Sequence, residues 1–269
     1  MNASELHSHI VIDKVSKVFD SDGRRMVALQ DISLQVPRGQ FVCLLGPSGC
    51  GKSTLLNAVA GFAPPTSGSI LADGAPVTGP GPERGMVFQE YALFPWMTVE
   101  QNVGFGLEIK GMARAAIGAR VAGLLKLLSL EDFAKRYPKD LSGGMRQRVA
   151  IARVLALDSP IMLMDEPFGA LDALTRRNLQ DELLRLWAEL KKTVIFVTHS
   201  IEEAIYLADR IVVMTYRPGT VKRDMLVELP RMRDPASAEF NALKRELGQL
   251  VMEEQQRHHE AEMRSAAVD

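Results

Sequence analysis

Gly46-Pro47-Ser48-Gly49-Cys50-Gly51-Lys52-Ser53-Thr54 packs three glycines, a lysine and two neighbouring hydroxyls into nine positions, directly after the apolar run Phe41 to Leu45. That composition suits anion binding. Successive backbone N–H groups can surround an anion only where side chains do not block the approach, and glycine supplies both the room and the positive φ angles. A helix opening at Ser53 adds the positive end of its dipole. The spacing fits G-x-x-x-x-G-K-[ST] at Gly46, Gly51, Lys52 and Ser53, so Lys52 would reach β- and γ-phosphates and Ser53 would offer a hydroxyl to Mg²⁺. An ordinary glycine-rich turn would meet all four fixed positions by chance in under about one such sequence in a hundred. The stretch implies a nucleotide without saying which reaction.

A second set of residues could supply the reaction. Ile161 to Met164 reads as an apolar strand that ends in Asp165 and Glu166. Asp165 would hold Mg²⁺, directly or through water, and Glu166 would polarise a water for attack on a γ-phosphate. His199 closes a similar run beginning at Thr193, and Gln89 follows Gly85-Met86-Val87-Phe88. Taken singly, neither residue carries an assignment. Leu141-Ser142-Gly143-Gly144-Met145-Arg146-Gln147-Arg148 precedes an apolar helix from Val149 to Leu155. A hydroxyl and bare backbone N–H groups at that helix start make a second phosphate-binding end.

The elements that must place these residues follow from the hydropathy pattern. Ile10 to Val18 and Ile32 to Val36 alternate as half-buried strands, whereas Phe41 to Leu45, Ile161 to Met164 and Val194 to Val197 are apolar throughout. Fully apolar strands indicate a parallel sheet covered on both faces. Helical patterns run from Ser53 to Ala60, closed by Gly61, and from Arg176 to Leu190 with Leu179, Leu183, Leu186, Trp187 and Leu190 on one face. Alternating strands and helices imply an α/β fold. From about Glu90 to Ser159 apolar strands vanish and helical patterns such as Arg120 to Leu128 take over, which reads as a helical insert. Phe240, Leu243, Leu247 and Leu250 form a last apolar stripe expected to pack on the parent domain, before a polar end expected to fray.

Composition narrows the function classes. A chain of 269 residues, 46% of them hydrophobic, has material for one large domain or a core with a subdomain. A formal net charge of −1 gives no support to nucleic-acid binding, which shows a basic surplus. The two cysteines, Cys43 and Cys50, do not look like a disulfide framework, which favours a reducing compartment. The first residues, MNASELHSHI, show no signal peptide, and no segment approaches the ~18 apolar residues of a membrane helix. The chain is expected not to cross a bilayer by itself.

Together these stretches resemble the ATP-binding cassette family. GPSGCGKST is similar to its Walker A loop, Gln89 to its Q-loop, LSGGMRQR to its signature, IMLMDE to its Walker B strand, Ala170-Leu171-Asp172 to its D-loop and His199 to its switch histidine. Phe19 stands where the family places an adenine-stacking aromatic, more often Tyr. The resemblance spans roughly residues 8 to 225. It implies a P-loop ATPase core with a mostly parallel sheet, an N-terminal antiparallel β part and a helical subdomain. The expected segments are 8–89 for the β part and P-loop half, 90–159 for the helical subdomain, 160–230 for the second core half, and 231–269 for a helical tail.

By the same resemblance, ATP would contact Phe19, the loop Gly46, Pro47, Ser48, Gly49, Cys50, Gly51, Lys52, Ser53 and Thr54, and, from a facing cassette, Ser142, Gly143, Gly144, Gln147 and Asp172. Mg²⁺ would be held by Ser53, Gln89 and Asp165, and catalysis would fall to Glu166, His199, Lys52 and Gln89. With one copy of each motif, the chain is expected to form a head-to-tail dimer, or to pair with another cassette, enclosing two ATP. A permease would be a separate chain, contacted near Tyr91 to Met97, an aromatic segment that reads either as insert core or, as favoured here, as a docking groove.

A repair ATPase of this family would need a long coiled coil between Lys52 and Ser142, a ribosome-binding member two cassettes, and a GTPase or kinase no signature. The runs GMVFQEYALFPWMTVEQNVGFGLEIKG, PFGALDALTR and IVVMTYRPG are most similar to importer ATPases of the nitrate, sulfonate and taurine group. That implies a place on the cytoplasmic face of the membrane and an indirect solute-binding protein partner. The solute itself stays open among nitrate, an alkanesulfonate, taurine, bicarbonate, a pyrimidine precursor and an aromatic acid.

Overall fold

The computed structural model describes residues 8–21 and 24–266; the readings made on residues 1–7 and on the last three residues lie outside it. Strands β1 (Ser8–Ser21), β2 (Arg24–Pro37) and β3 (Phe41–Leu45) precede helix α1 (Lys52–Ala60), β4 (Ser67–Ala72) and a short β5 (Ala75–Pro76). Next come β6 (Arg84–Val87), α2 (Val99–Ile109), α3 (Arg114–Leu127), α4 (Gly143–Ala156), β7 (Ile161–Asp165) and α5 (Ala173–Leu190). The chain closes with β8 (Thr193–Thr198), α6 (Ile201–Leu207), β9 (Arg210–Met214), β10 (Val221–Leu226) and α7 (Ala238–Ala266). It divides into two compact units. One runs through Pro80 and resumes at Thr193, and the other is Gly81–Lys192.

The first unit holds an antiparallel sheet in the order β2-β1-β4-β5 and a second arrangement in which β3 lies parallel between β9 and β8, with β10 antiparallel on β9. Every residue of β3 and β8 is buried, as expected of apolar strands covered on both faces. Phe41 and Phe196 meet across that pair with ring centroids 5.9 Å apart. The fold is thus α/β, with an antiparallel N-terminal sheet beside a mostly parallel one. The cysteines Cys43 and Cys50 are both free and buried. In α7, Phe240, Leu247 and Val251 are buried, and Gly248 lies against Ile201 of α6.

The second unit is helical around the parallel pair β6 and β7. Side chains fix its helix starts. Thr98 and Gln101 form a reciprocal capping box on α2, Ser142 caps α4 and Asp172 caps α5. Cations close α4 at its other end: Arg120 donates to the carbonyls of Ala156 at 2.6 Å and Leu155 at 3.3 Å, and Lys110 to Leu157 at 3.0 Å. Gly85 of β6 lets α4 approach closely, because a Cβ there would stand 2.3 Å from Val154.

Four sequence expectations shift. β2 begins at Arg24 rather than Ile32, and α3 at Arg114 rather than Arg120. On α5, Leu179, Leu183 and Leu186 are buried as expected, but Leu190 is exposed and Gln180 and Leu184 take its place. The polar C-terminal end continues as helix to Ala266. Among the described residues, no helix is long and apolar enough to cross a membrane.

Candidate functional site

In the first unit, the glycine loop runs from β3 into α1, and its backbone tolerates no side chain at two points. A Cβ on Gly46 would stand 2.9 Å from Cys50 Sγ and 3.0 Å from the Met214 carbonyl. One on Gly51 would stand 2.7 Å from Leu29, and Gly51 adopts φ +100° as the residue before α1. Gly49 is also left-handed, at φ +76°. The start of α1 carries no side-chain cap and no acidic residue in its first turn, so its positive end suits an anion.

Lys52 is buried and curls over this loop, donating from Nζ to the carbonyls of Gly46 at 2.8 Å and Pro47 at 2.9 Å. Pro47 and Cys50 are buried, Ser48, Gly49 and Ser53 are exposed, and Thr54 is half-buried. Burial pushes the Cys50 thiol up, while Lys52 beside it acts in the other direction. The Cys50 side chain thus stays a neutral packing group, and its N–H donates to Pro47 at 3.4 Å. Phe19 on β1 is 39% exposed, with the Lys17 ammonium 5.4 Å from its ring centre, so a face remains for a planar ring.

His199 is exposed at the end of β8. The turn that presents it is tied down on both sides. Thr198 donates to Glu203 at 2.6 Å and accepts from the Ser200 N–H at 2.9 Å, while Ser200 caps α6 through Glu203 N–H.

In the second unit, Asp165 ends β7 half-buried, and Glu166 follows at φ +42°. A left-handed glutamate costs about 1–3 kcal/mol and persists only where the surrounding structure holds it. Gln89 is exposed in the turn after β6. Just beyond it, Tyr91 and Ala92 are both left-handed, at φ +60° and +48°, and Arg153 of α4 holds their carbonyls at 3.3 and 2.6 Å. Burial lowers the Arg153 pKa below the usual arginine range. Phe94 packs on Phe105 and Trp96, with centroids 4.7 and 5.7 Å away, while Trp96 itself is 69% exposed.

Ser142 caps α4 by accepting the Met145 N–H at 3.3 Å. A Cβ on Gly143 would crowd Leu171 at 3.1 Å, and one on Gly144 would stand 2.6 Å from Thr175. Both glycines therefore seat the start of α4 on the turn that leads into α5. Gln147 is fully buried, and its amide oxygen and nitrogen have no hydrogen-bond partner among the described residues. Asp172 is exposed and accepts the Thr175 N–H at 3.0 Å, which lowers its pKa. Arg176 donates to the Leu171 carbonyl at 2.8 Å and holds the same turn.

The loop of the first unit has the room and the helix end that phosphate groups need. No cluster of three His, Cys, Asp or Glu side chains occurs among the described residues. Mg²⁺ held by one or two side chains together with phosphates needs no such cluster. Sequence reasoning missed Arg217, whose Nε donates to the Gly49 carbonyl at 2.9 Å. It also missed Gly219, where a Cβ would stand 2.2 Å from the Cys50 carbonyl. The Arg217-Pro218-Gly219 turn was legible as a turn, and its contact with the loop was not.

The profile of the ABC transporter family matches residues 29–169. An uncharacterised ABC transporter ATP-binding protein of Methanocaldococcus jannaschii is 50% identical over 90% of this chain and 91% of its own length. The nitrate import ATP-binding protein of Synechocystis sp. is 45% identical over 88% of this chain and 90% of its own. The taurine import ATP-binding protein of Jannaschia sp. is 48% identical over 88% of each. A dimeric ATP-binding cassette solved in a post-hydrolysis state with ADP and Pi superposes with a TM-score of 0.73 at 34% identity, covering 82% of this chain and all of that one.

Proposed function

The chain belongs to the ABC transporter family as one of its ATPase cassettes, and we propose that it energises an importer for a small anion such as nitrate, a sulfonate or taurine. The observation that carries the nucleotide reading is the loop at Gly46 and Gly51, cleared of side chains and ending on the uncapped start of α1 with Lys52 buried beside it. Adenine stacks on Phe19, and the phosphates lie on Gly46 to Thr54. Lys52 exchanges its carbonyl partners for phosphate oxygens. Ser53, Gln89 and Asp165 would hold Mg²⁺, which supplies charge neutralisation at the β- and γ-phosphates. Glu166 takes the proton of the attacking water, and His199 orients it.

Two copies pair head to tail, each offering Ser142, Gly143, Gly144 and Asp172 to the nucleotide held by the other. The dimeric cassette among the structural relatives supports this. The N-terminal end of α4 then adds a second dipole to the γ-phosphate. A permease of separate chains sits against Phe94 and Trp96 and receives solute from an extracytoplasmic binding protein, which places this chain peripherally on the cytoplasmic face. The import proteins for nitrate and taurine among the relatives support that setting. The segments 8–89, 90–159, 160–230 and 231–269 serve as the β part with P-loop half, the helical subdomain, the second core half and the tail.

The test is steady-state hydrolysis by the purified chain. Glu166→Gln should cut turnover by about 10²–10⁴-fold while nucleotide still binds. Hydrolysis by that variant at the unmodified rate would contradict the assigned role.

A further inference from the structure

α7 reaches the glycine loop through a relay of four groups in the first unit. Glu254 lies on α7 and is fully buried. A buried carboxylate is stable only when donors surround it, and three do. The Tyr216 N–H donates to it at 2.9 Å, Lys222 at 2.7 Å and Arg257 at 3.2 Å. The Tyr216 ring stacks on His258, one helical turn further along α7, with centroids 3.9 Å apart and planes 19° from parallel. Both the backbone and the side chain of Tyr216 are therefore fixed by the C-terminal helix.

The next residue is Arg217. Its turn is closed on the other side as well. Thr215 donates from its hydroxyl to Pro218 at 2.9 Å, and the Gly219 N–H reaches Ala28 on β2 at 2.9 Å. From this clamped turn the exposed Arg217 side chain lies over the loop. Its Nε donates to the Gly49 carbonyl, and Nη2 would meet a Cβ on Gly49 at 3.3 Å. A peptide unit is planar, so holding the Gly49 carbonyl also fixes the direction of the following N–H. That N–H, on Cys50, donates at the long distance of 3.4 Å to the Pro47 carbonyl and belongs to the group expected to turn to phosphate when nucleotide binds. The guanidinium also adds a positive charge to an anion-binding loop that has no cation other than Lys52 between Gly46 and Thr54.

We propose that Arg217 is a positioning residue for the nucleotide loop and that α7, through Glu254, holds it there. The C-terminal helix is then part of the nucleotide-binding apparatus rather than a packing appendage. This rests on the reading of Gly46 to Thr54 as the phosphate loop.

The experiment measures binding of a fluorescent ATP analogue and steady-state hydrolysis by the full chain, with Lys52→Ala as reference. Arg217→Ala should raise Kd for the analogue and KM for ATP by about 2- to 10-fold, the scale of one charged hydrogen bond at a partly exposed site, with kcat nearly unchanged. Arg217→Lys should recover most of the loss. Glu254→Gln should move KM the same way, and the double variant should be no worse than Arg217→Ala alone, because the two act in series. If Lys52→Ala loses nucleotide while Arg217→Ala binds it like the parent, the proposal is overturned and the loop reading stands. If Lys52→Ala also binds normally, both fall. Penalties at Arg217 and Glu254 that add would refute the relay. Should Glu254→Gln fail to fold, the Arg217 pair decides.

Discussion

Asn102 pairs with Phe94 as one strand residue pairs with another. Its side-chain oxygen accepts the Phe94 N–H at 2.8 Å, and its side-chain nitrogen donates to the Phe94 carbonyl at 3.1 Å. The same nitrogen lies 3.1 Å from the Met97 carbonyl and 3.0 Å from that of Thr98. One buried amide thus stands in for the secondary structure that residues 94–98 lack, and α2 dictates where the aromatic segment lies. Asn102→Ala would leave those groups unpaired inside the second unit. A stability loss of about 1–3 kcal/mol is expected, read as a lower midpoint in thermal unfolding. An unchanged midpoint would show that the segment holds its shape by other means.

Trp96 stands on that scaffold with most of its ring in solvent. Trp96→Glu should therefore leave the unfolding midpoint in place, since surface changes of this kind stay within about 0.5 kcal/mol. It should nevertheless abolish co-purification with the permease, where a charge would be driven against apolar surface. Normal recovery of the complex would remove the docking role from this segment.

Gly51 and Gly74 separate backbone strain from steric exclusion. Both have positive φ, but a Cβ on Gly51 would stand 2.7 Å from Leu29, whereas Gly74 faces nothing within 4 Å. Alanine at Gly74 should cost about 1 kcal/mol for the left-handed backbone alone. Alanine at Gly51 should cost more and also weaken nucleotide binding, because the loop must shift. Equal costs in a chemical-denaturation series would contradict the close packing of β2 on the loop.

His9 sets a pH dependence. Arg38 can only donate, so its contact at 3.2 Å makes Nε2 the acceptor and leaves the proton on Nδ1, 2.6 Å from the Thr193 hydroxyl. Burial first, and then the Arg38 charge, lower the His9 pKa below 6.5, while Asp73, which is paired with Arg38, acts weakly against them. The unfolded chain therefore takes up this proton more readily than the folded one. Stability contributed by neutral His9 is complete above pH 6.5 and is lost as pH falls through the folded value. His9→Gln keeps an acceptor and a donor in place, so its unfolding midpoint should decline less between about pH 7.5 and 5.5 than the parent's. Parallel declines would rule His9 out.

Local chemistry made much of this chain legible. Apolar runs with no polar interruption gave away β3, β7 and β8, and Gly61 marked the end of α1 where its φ of +86° needs no Cβ. The misses have physical causes. The first half of β2 carries exposed Met26 and Val27, so burial does not write an alternating pattern there. The first turns of α3 are exposed and have no apolar stripe, so only the later turns announced a helix. Asn102 belongs to no motif, although it organises the segment ahead of α2. Arg217 acts on a carbonyl 168 residues earlier in the chain, and no local pattern records such a contact.

Sedimentation of Glu166→Gln with saturating Mg-ATP tests the central claim most directly, because a cassette that binds but cannot hydrolyse nucleotide should stay closed on a second copy. The account predicts a stable dimer with two ATP bound, which reverts to monomer when nucleotide is removed. A variant that binds ATP yet sediments only as monomer, alone and with its permease, would contradict it.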